Sequence, residues 1–168
     1  VILASSCKLE EIEKIYLDYQ SRTSVELVKI LAKHQWKISP EFINAKKGIE
    51  ETIPKGKTGY VMIGDRSFRF YKKGLNITDL GQSWFEYSGK PMVFACWMGR
   101  REVETLVLRK FNEALEKGIN ARPEIIEESR HIFEGSGILP EDYFYKNIRY
   151  NFDNSAREGM ELFLNLLQ

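Results

Sequence analysis

The 168 residues are 43% hydrophobic and include 10 Phe, 8 Tyr and 3 Trp, enough apolar side chain for a packed core and too much for a disordered tail. Lys and Arg total 25 against 24 Asp and Glu, so no cationic excess exists to neutralise a nucleic-acid backbone. No apolar run approaches the ~20 residues of a membrane span, and Cys7 and Cys96 match neither a metal nor a redox spacing.

In chain order, Val1, Ile2, Leu3 and Ala4 are apolar enough for a strand, and no initiator Met precedes them. Ile15, Tyr16 and Leu17 form a short apolar run ending in Asp18. From residue 23 to 34, Val25, Leu27, Val28, Leu31 and Ala32 recur at helical spacing, and Ser21 and Thr23 are both competent N-caps. Residues 41–44 read as a second strand and 47–53 as a short helix. Residues 59–63 read as a buried strand ended by Gly64, Asp65 and Arg66. The alternation predicts a small parallel α/β sheet.

Further on, residues 76–80 read as a loop and 83–87 as a turn or short helix. Met92 to Met98 are seven consecutive apolar residues and predict a central strand, with Cys96 a small core residue within it. The rest reads as helical. One apolar stripe carries Val103, Val107, Phe111 and Ala114, with Gly118 as its expected C-cap. A helix opened by Arg122 and Pro123 follows, then one from Pro140, then one bearing Ala156, Met160, Phe163 and Leu167.

Ligands of open parallel sheets collect beyond the carboxyl ends of the strands, and two such ends carry suggestive chemistry. At the first, Ser21, Arg22, Thr23 and Ser24 place three hydroxyls and a guanidinium at a helix N-terminus, where unpaired N–H groups and the macrodipole favour a carboxylate or phosphate. The same residues also suit ordinary N-capping with Arg22 in solvent. At the second, Gly64 permits close backbone approach, and Asp65 beside Arg66 suits a ligand hydroxyl or a cation. A plain Gly-Asp turn with a surface ion pair fits equally. His34 and His131 lie in no metal-ligand motif, and no Ser-His-Asp or Cys-His arrangement is evident.

These residues carry a resemblance. Residues 16–25, YLDYQSRTSV, resemble the strand–loop–helix entry of the chorismate dehydratases of the futalosine route to menaquinone. Residues 59–66, GYVMIGDR, are similar to that family's second-lobe strand and its Ile-Gly-Asp end. Asp79 to Trp84, then Gly89 to Pro91, then Val93 to Trp97 resemble its aspartate-leucine-glycine, tryptophan and return-strand segments. Asn147 to Tyr150 resemble the segment before its last helix. The similarity runs in order along essentially the whole chain.

The resemblance implies an α/β fold like the type 2 periplasmic binding proteins, used as a cytoplasmic enzyme. Residues 1–7 would be a crossing segment and 8–90 a complete small α/β lobe with the substrate loops. Residues 91–168 would be the return strand and helices of a second, truncated lobe, because the family's N-terminal segment has no counterpart here. The implied reaction dehydrates chorismate to 3-[(1-carboxyvinyl)oxy]benzoate, with neither metal nor cofactor. Ser21, Arg22, Thr23, Ser24, Gly64 and Asp65 are the expected substrate-binding residues, and the catalytic groups are expected outside these 168 residues. Alone, the chain would then be inactive and prone to self-association through uncovered helices. Two alternatives stay open: the sister enzyme 1,4-dihydroxy-6-naphthoate synthase, which places a histidine where Gly64 and Asp65 stand, and a non-catalytic binding protein for a small carboxylate.

Overall fold

The structure, a computed structural model, describes residues 1–71 and 73–168. It divides into two compact units, residues 1–95 with 152–168, and residues 96–151.

The first unit is built on a five-stranded sheet: β1 (Ile2–Ser5), β2 (Lys14–Leu17), β3 (Glu41–Asn44), β4 (Thr58–Met62) and β5 (Asn76–Asp79), in the order β3-β2-β4-β1-β5. β2 runs parallel to β3 and to β4, as the strand–helix–strand alternation predicts. β1, however, is antiparallel to both β4 and β5, so the sheet is mixed rather than wholly parallel. The sequence reading misses β5 because Asn76 and Asp79 look like loop residues; pairing with the fully buried β1 overrides that local preference.

Helices α1 (Arg22–Leu31), α2 (Leu80–Ser88) and α6 (Asn154–Leu166) cover one face of this sheet. Period-two alternation sends Leu3, Ile15, Leu17 and Val61 to that face, where they meet Leu27, Val28, Leu31, Trp84 and Phe163. Ile2, Ala4, Met62 and Phe70 form the smaller cluster on the other face. Ser21 caps α1, its Oγ accepting the Ser24 N–H at 3.1 Å. Past Leu31 the helix loosens into one π turn, Ala32–Trp36, which Lys37 ends in a left-handed conformation at φ 56°. The short helix expected over residues 47–53 is a single 3-10 turn, Ile49–Glu51.

Residues 92–98 form no strand. Met92 and Phe94 pack against the core of the first unit, while Trp97 and Met98 are 76% and 90% exposed, and Cys96 is exposed rather than a core residue. An apolar run expresses a tendency toward burial, and a strand needs a ladder partner as well. In the second unit, α3 (Thr105–Asn120) runs through Gly118 instead of ending there, and α4 (Arg122–Phe133) starts at the expected Arg-Pro step. The short α5 (Pro140–Asp142) continues as a π turn, Tyr143–Asn147, and Phe133, Tyr143 and Phe144 make a ring cluster with it. α6 belongs to the first unit, although 56 residues separate the two halves of that unit along the chain.

Candidate functional site

The parallel strands β2, β3 and β4 end on one edge of the sheet, and each is followed by a loop rich in polar groups. β2 leads through Asp18, Tyr19 and Gln20 into the Ser21 cap. Ser21 Oγ–H also donates to Ser24 Oγ at 2.7 Å, so the buried Ser24 is joined to its cap through both its amide and its hydroxyl. The N–H groups of Arg22 and Thr23 have no intrahelical acceptor, by their position in the first turn. Arg22 is exposed and Thr23 half-buried.

An open depression of about 570 Å³ lies against this turn. Asp18, Tyr19, Gln20, Ser21, Arg22, Glu26 and Asn44 supply its polar lining, and Leu17, Val25 and Ala45 its apolar lining. Of the expected binding residues, Ser21 and Arg22 therefore line it, while Thr23, Ser24, Gly64 and Asp65 do not. Gly64 and Asp65 are exposed at the end of β4, with Gly64 at φ 59°, a conformation that suits glycine.

What joins the two loops is a residue that sequence reasoning placed only as a surface partner. The Asp18 side chain has no solvent exposure, and Arg66 Nη2 lies 3.0 Å from its Oδ1 and 2.9 Å from its Oδ2. Asp18 Oδ1 also accepts the Gln20 N–H at 2.7 Å, tying the carboxylate to its own turn. The Arg66 guanidinium stands 4.9 Å over the Tyr19 ring, with Nη1 3.9 Å from Glu50 Oε2 in the loop after β3. Tyr19 in turn donates to Glu50 Oε1 at 2.7 Å. One cation thus reaches all three strand-end loops, and with Asp18 fully buried and Arg66 21% exposed, removing either partner would leave the other charge uncompensated.

The electrostatics follow from this geometry. Glu50 is held below the ordinary carboxylate value, first by its own backbone N–H and then by the Tyr19 hydroxyl, with Gly48 N–H and the Arg66 charge adding to it. Tyr19 is raised, chiefly because its phenolic proton is held by Glu50. Asp18, Tyr19 and Arg66 belong to the two strand ends singled out from the sequence, but neither they nor Glu50 are among the expected substrate-binding residues. The available signal was an acid and a base just past the ends of two predicted strands, Asp18 after one and Arg66 after the other; that these strands are neighbours is known from the structure. Among the described residues, no cluster of three or more His, Cys, Asp or Glu is arranged to hold a metal ion, and no helix is long and apolar enough to cross a membrane.

A curated relative, the chorismate dehydratase of Thermus thermophilus, is 26% identical over 178 residues, covering 95% of this chain. The chain spans 64% of that relative's length. The family model for menaquinone biosynthesis matches residues 1–168. A match along every residue, over a mixed α/β fold with its polar loops at the strand ends, establishes that the chain belongs to the menaquinone biosynthesis family.

Proposed function

We propose that the full-length protein removes water from chorismate to give 3-[(1-carboxyvinyl)oxy]benzoate, in a fold of the type 2 periplasmic-binding-protein kind. The observation that carries this reading is the turn at the start of α1. There the exposed Arg22 borders an open depression with a partly apolar lining, beside the first-turn N–H groups that have no intrahelical acceptor. Chorismate carries one carboxylate on its carbon ring and a second on its enolpyruvyl side chain, and a carboxylate and an apolar ring each have a counterpart in that lining. The Thermus relative, named as a chorismate dehydratase, supports the same substrate.

In this reading Ser21 and Ser24 hold the turn in shape, and Arg22 and Thr23 offer donors to one carboxylate. Gly64 and Asp65 approach the substrate from the neighbouring loop, where Asp65 accepts from the ring hydroxyl. Such an enzyme works by orientation, because aromatisation drives the loss of water once a proton and hydroxide can leave. The groups that move them are assigned to the part of the full-length protein beyond these residues, so the 168-residue chain alone would be inactive.

The test is incubation of the full-length protein with chorismate and, separately, with cyclic dehypoxanthine futalosine, with products read by mass spectrometry. The expected product from chorismate is lighter by one water, and the futalosine derivative remains unchanged. Turnover of the futalosine derivative alone would assign the protein to the sister reaction; binding of chorismate without any product would make it a carboxylate-binding protein.

A further inference from the structure

Asp18 is a carboxylate without solvent exposure, and a charge so placed persists only with a partner of opposite sign and matched hydrogen bonds. Arg66, from a loop 48 residues away, supplies both. Because Asp18 Oδ1 also receives the Gln20 N–H, the ion pair acts on the backbone just ahead of Ser21, and Ser21 in turn caps Ser24. A chain of direct contacts therefore runs from Arg66 through Asp18 and the Tyr19–Gln20 turn to the first residues of α1. Arg66 also follows Gly64 and Asp65 in sequence, so the same side chain sets the spacing between the two loops.

We propose that Arg66 is a positioning residue: by anchoring the buried Asp18 carboxylate it fixes the β2–α1 turn so that Arg22 and the first-turn N–H groups meet the substrate carboxylate. The identity of that carboxylate rests on the chorismate reading; the anchoring itself does not. Arginine is needed for the shape of its contacts. Its Nη2 alone meets both Asp18 oxygens, while the same planar guanidinium covers the Tyr19 ring and turns Nη1 toward Glu50, 3.9 Å away. A lysine ammonium keeps the charge beside Asp18 and loses the stacking on Tyr19 and the reach toward Glu50.

Arg66→Lys in the full-length protein tests this with two independent readouts. The first is amide hydrogen exchange. Exchange at Gln20 and Ser24 is expected to speed up by ~10-fold or more, as local opening becomes easier, while Leu3 and Val61 in the central strands stay unchanged. The second is steady-state kinetics with chorismate: KM rises ~10-fold with kcat within about twofold, the pattern of lost binding rather than lost folded protein. Combining Arg66→Lys with Arg22→Met should raise KM by clearly less than the product of the single effects, since both act on one turn. Asp18→Asn, which keeps the side chain's size and removes its charge, is read in the same two ways if the lysine variant does not fold. Unaltered exchange at Gln20 and Ser24 overturns the anchoring. Faster exchange with an unaltered KM, or strictly multiplicative KM effects, overturns the positioning role. If the unaltered protein does not turn over chorismate, that reading falls alone, and the exchange rates still decide the anchoring.

Discussion

Glu50 receives a donor on each oxygen, the Tyr19 hydroxyl on Oε1 and the Gly48 N–H on Oε2, and so fastens the loop after β3 to the turn after β2. Its carboxyl lies below the ordinary value of 4.5, so the stabilisation is present above that pH and is lost as acid protonates the folded form. Tyr19 lies above the ordinary value of 10.0, so its share is present below that pH and is lost as base removes the phenolic proton. The contact is therefore a plateau with two edges. Melting temperatures of the unaltered protein and of Tyr19→Phe, compared across pH, should differ most between these two values and converge toward both extremes. A difference as large at pH 3 as at pH 7 would show that ionisation of Glu50 does not govern the contact. Individual residues were legible in the sequence where their role is local. Ser21 caps α1 as its chemistry suggests, three residues from its donor. The Asp18–Arg66 pair was not, because nothing in the local pattern distinguishes a buried bridge from a solvated acid and a solvated base.

At the level of elements, strands and helices follow their apolar periodicity, and close approaches follow the small residues. α6 carries Gly159 where it passes the chain at Pro91, and a Cβ built there would lie 2.2 Å from the Pro91 carbonyl oxygen and 3.3 Å from Lys90 Cβ. The neighbouring Lys90–Glu158 ion pair marks the same crossing. Ala is the better helix former by about 1 kcal/mol, but this contact is with backbone and cannot be relieved by a rotamer change. Overpacking of this kind costs roughly 1–3 kcal/mol, so the clash outweighs the propensity. Gly159→Ala should lower the melting temperature by several degrees, whereas the same change at Gly118, where a Cβ meets nothing within 4 Å, should be neutral or stabilising. Equal shifts at both positions would mean that α6 can slide away from Pro91 without loss. The sequence reading missed β5 and supplied a strand at residues 92–98 for one common reason. Pairing depends on what lies alongside, and β1, fully buried, recruits the polar Asn76–Asp79 segment, while the more apolar run has no ladder neighbour.

Across the whole molecule, the first unit is closed by its two ends, β1 near the start of the chain and α6 at its finish. Hydrophobic pattern alone grouped α6 with the other C-terminal helices, since its apolar stripe says that it packs and not against what. The structure sends Phe163 onto Trp84, with ring centroids 5.9 Å apart and edge to face, and sets Leu162 and Leu166 against the same cluster. Trp84 is completely buried there, while Trp97 is already 76% exposed. Removing residues 152–168 strips three buried positions, Ala156, Gly159 and Phe163, from the face of the sheet that carries the larger core. Truncating a single buried Phe to Ala costs about 3–5 kcal/mol, a large part of the ~5–15 kcal/mol that stabilises a typical domain. Loss of the entire helix should therefore abolish cooperative unfolding of the first unit. Tryptophan emission reports it directly: the truncated chain should emit at longer wavelength as Trp84, and Trp36 packed against the same cluster, meet water, with little change from the exposed Trp97. Phe163→Ala is the milder form, expected to keep the fold and to lower the melting temperature by roughly 10 °C or more. Unchanged emission and melting in both variants would show that α6 is an accessory to a core already complete without it.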